Sequence, residues 1–471
     1  MTQKVLTKYW LMLHVAVLLS AAWVSTLYTS VGWVVSLLWL SLFALQAFLL
    51  LPSMLRGETM SMARLRAWSR TLYDPFVYVG IALIGVACIQ WLNSGCSLIY
   101  VEDTEIWRYS APPMGGIPFS IEPFPALITL SLFVASVVGG VIFRNGMGKA
   151  SKRIFLGTAS MLSGCIATYM VVMGGLGLSP YSDLGISPNL CNWGTFFGFW
   201  MLIALGGQLS FLHTHFFKTL IWALLSLSGN LLGMLQFETP LGIALFATAA
   251  VVMLGYFGFT LLRQSESGFL KLKQVAVLFL VVSVSVGAFM LFPEHPVKAK
   301  AAMLVDSTYV ETILDDREFR SSIAWKMWQE HPWTGVGVGG FGRYGETMII
   351  ESDWMKLKGA GGTLSNDWLQ FLAEYGVIGI ALFVALVIIL TMPLFARLRF
   401  IFQRLSRKTQ EGEVASIDPY VVAGITAVLT VLLGSVLLSP LQSVATFVSF
   451  IYVLAIIPGL LPAAASNDNN N

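Results

Sequence analysis

The chain has 471 residues, 56% of them hydrophobic and 11% charged, with a formal net charge of +3 and a mean hydropathy of +0.76. Soluble domains carry roughly 25% charged residues, so the composition excludes a soluble enzyme and leaves a polytopic membrane protein. The 4 cysteines are too few for a disulfide scaffold, and no C-x-x-C pair offers a metal site.

A helix needs about 18–22 apolar residues to cross the hydrocarbon. In chain order such runs fall near 10–29, 31–52, 75–93, 126–143, 154–176, 194–212, 219–236, 240–262, 275–292, 377–395, 419–438 and 441–461. The fold class read from them is an all-α polytopic membrane protein of about twelve transmembrane helices. The first run follows Lys4 and Lys8, as a signal peptide would. It lacks a small-x-small cleavage site and leads straight into the second run, so it is kept as a helix. The chain then divides into spans one to nine (1–292), a large loop (293–376), spans ten to twelve (377–461) and an Asn-rich tail (462–471) expected to be disordered and cytoplasmic.

Basic residues set the orientation. With the N-terminus inside, most of them fall on the inner side. They include Arg56, Arg64, Arg66 and Arg70, then Arg144, Lys149, Lys152 and Arg153, then Arg397, Arg399, Arg404, Arg407 and Lys408. Both termini are then cytoplasmic, and the long loop between spans nine and ten lies outside. Loops of that length are usually functional. A carrier of twelve spans would place its long loop inside, between the sixth and seventh, and show a repeat between halves; here the long loop follows span nine and lies outside.

The outer loop contains EHPWTGVGVGGFGRYG, Glu330 to Gly345, in which Gly335, Gly337 and Gly340 spell G-x-G-x-x-G. A phosphate-binding P-loop needs G-K-[ST], whereas Gly342 is followed by Arg343 and Tyr344. A dinucleotide fingerprint needs a strand before it. Here the preceding REFRSSIAWKMWQE reads as an amphipathic helix, with Phe319, Ile323 and Met327 at i, i+4, i+8 and Pro332 beyond its end. Nucleotide cofactors and nucleic acid are therefore not expected. The glycines allow the backbone to turn or to approach something closely: a structural turn at the mouth of the bundle, or a backbone wall facing a ligand.

The order of features supplies a resemblance. Arg317 and Trp325 precede His331-Pro332, Gly335, Gly337, Gly339 and Phe341, and downstream stand Asn366, Asp367, Leu369, Leu372, Ala373, Glu374, Gly376 and Gly379. This pattern, from 317 to 383, resembles the O-antigen ligase and polymerase superfamily of membrane glycosyltransferases. The resemblance implies inverting glycosyl transfer at the periplasmic face, with no cofactor and no metal. The donor would be an undecaprenyl-diphosphate-linked glycan, and the acceptor a glycan or lipid hydroxyl. It also implies an inner-membrane location among membrane lipids, and a protein partner is possible. Such chemistry needs cations where charge develops on the diphosphate and a group to take the acceptor proton. The family is thought to use arginines and a histidine for these roles. In this chain the histidine position is Ser365 and the second arginine position is Thr239, beside Glu238. The alternative function is therefore a degenerate relative that binds a lipid-linked glycan or scaffolds a membrane assembly.

Two readings attach to each candidate residue. Arg317 and Arg320 would clamp the diphosphate, or form a helix face paired with Asp315, Asp316 or Glu318. Arg343 is a replacement cation or a rim salt bridge. Glu374 is a base or an orienting group for the loop. Gly335, Gly337, Gly339, Asn366 and Asp367 are candidate binding positions; Asp367 also suits a helix start, with Ser365 as N-cap. His331 is a substitute base or a turn residue. His213 and His215 lack a third ligand and are not read as a metal site. Cys96 and Cys191 share the outer side and could be bonded there.

Reporter tags after Ser267 and Gln410 should read as cytoplasmic, and tags near Lys298 or Lys356 as periplasmic. A cytoplasmic reading at Lys356 would remove every site assignment made in the loop.

Overall fold

The computed structural model describes residues 69–101, 106–175, 193–211, 223–263, 300, 302–303, 306–348, 364–410 and 417–461. The expected spans at 10–29, 31–52 and 275–292 lie outside the described residues, as do His213, His215, Cys191 and the tail after 461.

Every other expected span is helical. The helices are α1 (Pro75–Leu92), α2 (Pro123–Val141, continued by a π turn, Ile142–Gly146), α3 (Lys149–Gly175) and α4 (Trp193–Phe211). A π turn, Ala223–Ser228, leads into α5 (Gly229–Phe237), and α6 follows (Pro240–Arg263). The expected amphipathic helix is α7 (Ser307–Glu330), ending before Pro332, and a short α8 (Gly340–Tyr344) follows the glycines. Then come α9 (Asp367–Gln410), α10 (Pro419–Gly434) and α11 (Val444–Leu460). Among the described residues, 5 helices are long and apolar enough to cross a membrane. Strands β1 (Leu98–Val101) and β2 (Ile106–Tyr109) form an antiparallel hairpin between α1 and α2.

The helix starts have local causes. Asp74 accepts from Phe76 N at 3.1 Å ahead of α1, and Asp418 accepts from Tyr420 N at 3.2 Å ahead of α10. Both are N-caps followed by proline at the first helical position, where the missing N–H costs nothing. The runs read at 419–438 and 441–461 end and begin differently from the sequence reading. Residues 435–443 leave the helix, because Ser439 takes a left-handed conformation (φ 49°) ahead of Pro440, which opens a 3₁₀ turn.

Burial sorts the helices. The apolar window of α2 is 94% buried, against 28% for α1, 22% for α6 and 28% for α9, so α2 is internal and the other three are peripheral. Helix α2 meets α11 and α1 through small residues and aromatics. A Cβ on Gly139 would strike Tyr452, and one on Gly140 would strike Phe76. The Tyr452 hydroxyl donates to Ala135 O at 3.0 Å. On the outer helices Ile81, Leu92, Val251, Val252, Ile388, Met392, Phe395 and Leu433 are exposed. This inverted arrangement suits a lipid solvent, where apolar side chains gain nothing by turning inward.

The helix ends sort into two sets. At one end Asp74 binds Arg144 (2.7 Å) and Asp418 binds Arg153 (2.5 Å), while Arg397 donates to Pro458 O. At the other end the long loop joins the outer turns of α1, α5, α9 and α10. Arg144, Arg153 and Arg397 therefore lie at the end opposite the glycine motif.

Between α3 and α5 the helices touch backbone to backbone. A Cβ on Gly164 would lie 2.2 Å from Leu225 O, and one on Gly229 would lie 2.2 Å from Gly164 O. Asn230, fully buried, donates to Ser160 O (2.8 Å) and Ser226 O (2.7 Å). These bonds satisfy polar groups that lipid cannot. Gly164→Val should lower stability by about 3 kcal/mol through overpacking, read as a fall in the thermal unfolding midpoint of the detergent-solubilised protein. Gly174→Ala, with open space at its Cβ, should leave the midpoint unchanged.

Candidate functional site

The glycine stretch is half of a backbone clasp. Val336 N donates to Ala373 O (2.9 Å), Gly337 N to Glu374 O (2.9 Å), Val377 N to Pro332 O (2.9 Å) and Ile378 N to Trp333 O (3.2 Å). Helix α9 breaks direction at Gly376 (φ 64°, ψ −168°), so its polar first turns sit in the clasp and its apolar part starts beyond. Gly335 and Gly376 take φ of +66° and +64°. A Cβ on either would lie 2.3 Å from backbone carbon of the opposite strand of the clasp. Gly337 (φ +87°) presses on Phe119 and Ser120 in the same way, at 2.3 and 2.4 Å. Three of these glycines thus meet protein backbone, and only glycine has both the left-handed freedom and the space. Gly339 is the exposed member, facing the side chain of Pro125.

Glu374 orients this clasp from inside. Its carboxylate accepts from Gln370 Nε2 (3.0 Å) and, at longer range, from Phe341 N (3.4 Å). Its carbonyl also accepts from Gln90 Nε2 of α1 (3.3 Å). Gln370 Oε1 in turn takes Leu364 N (2.9 Å), so one buried network ties the loop, the start of α9 and α1 together.

The three candidate arginines occupy different settings. Arg317, on α7, donates to Leu437 O at 2.5 Å, reaching the loop between α10 and α11. Arg320 is 2% exposed and binds Asp316 on its own helix at 2.9 Å. Arg343 binds Glu122 at 2.6 Å on an open rim. The last two arrangements are the ion pairs named as alternatives to a ligand role.

Loop 435–443 forms the floor beneath Arg317. Asp367, fully buried, receives Leu441 N on Oδ2 (2.8 Å), and its own N–H donates to Ser435 O (2.7 Å). Trp368 Nε1 donates to Ser435 Oγ (2.7 Å), and Gln442 Nε2 donates to Leu364 O (3.0 Å). The N-cap of α9 is Asn366, whose Oδ1 accepts from Leu369 N at 3.1 Å, and not Ser365 as the sequence suggested. Asn366 can place its side chain over the first turn and leave Ser365 in the preceding loop.

A second cation stands at the turn between α5 and α6. Lys300 Nζ donates to Leu235 O (3.0 Å), Gln236 O (2.8 Å) and Glu238 O (2.7 Å). Beside it the buried Glu238 carboxylate accepts from Thr195 Oγ1 (2.7 Å) and from Thr239 N (2.9 Å). Burial pushes the Glu238 carboxyl above its ordinary range, against those hydrogen bonds and the Lys300 charge. The same loss of water draws the Lys300 ammonium down, with Glu238 opposing.

His331 is half-buried, edge-on to Phe119 with ring centroids 5.2 Å apart, and burial lowers its pKa. The Tyr344 hydroxyl donates to Glu330 at 2.7 Å, and its ring stacks on Tyr109 of β2, which docks the hairpin on α8. His331 accordingly occupies the turn setting. Cys96 is a free thiol, and its expected partner Cys191 lies outside the described residues. Among those residues no cluster of His, Cys, Asp or Glu could hold a metal ion.

Residues 193–384 match the family model described as O-Antigen ligase. That part of the chain is similar to the O-antigen ligase family. The ligase-family segment runs from α4 to the spanning part of α9 and includes the Glu238 turn, α7 and the whole clasp. No curated protein matches the chain. Two contributors escaped the sequence reading. Loop 435–443 lies beyond the matched segment inside what reads as lipid-spanning sequence, and only its Ser-Pro pair signals a break. Lys300 is far in sequence from the turn it serves, and nothing local marks it.

Gly337→Ala should cost about 3 kcal/mol, combining left-handed strain with backbone overlap. A fall in thermal midpoint of that order would place Gly337 in the clasp; an unchanged midpoint would remove the clasp as the reason for glycine.

Proposed function

We propose that this protein is a membrane glycan ligase or polymerase that draws on an undecaprenyl-diphosphate-linked donor at the periplasmic face. An acceptor hydroxyl attacks the anomeric carbon, the bond from that carbon to the diphosphate oxygen breaks, and the lipid diphosphate leaves with the electron pair. The acceptor proton passes to a base. The observation that carries this reading is the position of Arg317, inside the ligase-family segment and bonded to the loop that Asp367 holds in place. A guanidinium there can meet charge developing on a diphosphate with two parallel donors. Lys300 adds a positive charge at the turn where Thr239 replaces the arginine implied by the resemblance. Its three bonds to carbonyls make it a fixed field and not a mobile clamp. Gly339 and Asn366 are proposed to line the donor side, with Asp367, Arg320, Arg343 and Glu374 supporting the arrangement through the ion pairs and hydrogen bonds described above.

Ser365 favours a second reading, because a serine hydroxyl has no useful basicity near neutral pH. A protein with this architecture and no base would bind a lipid-linked glycan without transferring it. One experiment separates the two. Arg317→Ala should reduce glycan transfer about a hundredfold, equivalent to about 3 kcal/mol of transition-state stabilisation. Arg317→Lys should restore it only in part, since lysine lacks the planar fork. Ser365→Ala should retain most activity. Undiminished glycan output from a folded, abundant Arg317→Ala protein would overturn the enzyme reading in favour of binding.

A further inference from the structure

The basic end of the bundle, opposite the ligase-family clasp, holds a buried charge that the proposed reaction does not use. Lys152 lies near the start of α3 and is 4% exposed. Its ammonium abuts the last turn of α11, where a Cβ built on Gly459 would fall 2.0 Å from Nζ. No hydrogen bond or ion pair joins that ammonium to another described residue. Among the described residues, the side-chain charges acting on it are those of Arg397 and Arg144, both repulsive.

The neighbouring charges do not balance it. Asp74 is taken by Arg144, and Asp418 by Arg153. Arg397 donates to Pro458 O, which leaves it with a carbonyl partner and no carboxylate among the described residues. Capping of α11 by Lys152 does not account for the arrangement either. A lysine at a helix C-terminus ordinarily donates to the final carbonyls, and this one donates to none of those described. The first turn of α3 also contains no acidic residue, although a helix N-terminus favours negative charge.

We propose that Lys152 and Arg397, together with the amino-terminal turn of α3, hold a phosphate-bearing anion at the basic end of the bundle. A lysine side chain this buried, with no counter-charge among the described residues, is unfavourable, and an anion seated between its ammonium and the guanidinium supplies that charge. Phosphate chemistry fits the mixed donors: lysine meets it as a point charge, and arginine and helix N–H groups meet its oxygens directionally. The anion is either the headgroup of an acidic phospholipid or free phosphate.

Thermal unfolding of the full chain in maltoside micelles and phosphate-free buffer tests this. Phosphatidylglycerol should raise the midpoint by about 4 °C, the size expected for a ligand well above its dissociation constant. Phosphatidylcholine at the same concentration should not. Lys152→Met keeps the side-chain length without the charge, and should fold and lose the rise. Arg397→Gln should lose part of it. A rise with inorganic phosphate alone, also abolished by Lys152→Met, assigns the same site to the free anion. If neither addition shifts the wild type, or if Lys152→Met and Arg397→Gln respond as fully as the wild type, the site does not exist.

Discussion

The backbone hydrogen bonds between residues 332–337 and 373–378 are the contact on which the candidate site depends. They set the long loop against the start of a spanning helix with no side chain between the two chains. That closeness requires glycine at 335 and 376, and the positive φ at both positions removes every other residue without strain. The clasp also fixes where α7 begins and ends relative to the bundle. Helix α7 leads into the clasp at His331, whose backbone N–H still closes onto Met327 O. Arg317, earlier on the same helix, is placed over loop 435–443 as a consequence.

Polar groups near the membrane are the second constraint. The start of α9 and loop 435–443 both carry backbone groups outside regular helix, and in such a setting each must find a partner. Asp367, Gln370 and Gln442 provide them. This explains why so polar a run, SNDWLQ, precedes an apolar helix: it satisfies irregular backbone and holds a break between α10 and α11 open beneath a cation. The site is therefore assembled from helix ends, where unsatisfied carbonyls and N–H groups already concentrate charge.

The two ends of the bundle treat charge differently. At the basic end, Arg144 and Arg153 are matched by Asp74 and Asp418, while Lys152 and Arg397 are left in excess. At the clasp end Lys300 is tied to carbonyls of the last turn of α5 and Arg317 to Leu437 O, beside the ion pairs Arg320–Asp316 and Arg343–Glu122. A carbonyl partner localises a positive charge without cancelling it.

By itself the sequence determined the features that depend on local pattern. Apolar runs placed the helices that fall within the described residues, because a lipid-spanning helix must be apolar along its length whatever its neighbours. The 3.6-residue repeat of Phe319, Ile323 and Met327 located α7, and these residues do pack as one face. The alternation of glycines and the downstream Glu374 carried the resemblance that the family model over 193–384 supports. What the glycines face was decided only in three dimensions, since a positive φ is compatible with either a ligand or a backbone, and the neighbour comes from residues 119–120 and 373–376. The same holds for the cation at the Glu238 turn, the cap at Asn366 and the break at 435–443. Each rests on hydrogen bonds between segments distant in sequence or on a choice between adjacent capping residues, and linear spacing does not encode such contacts.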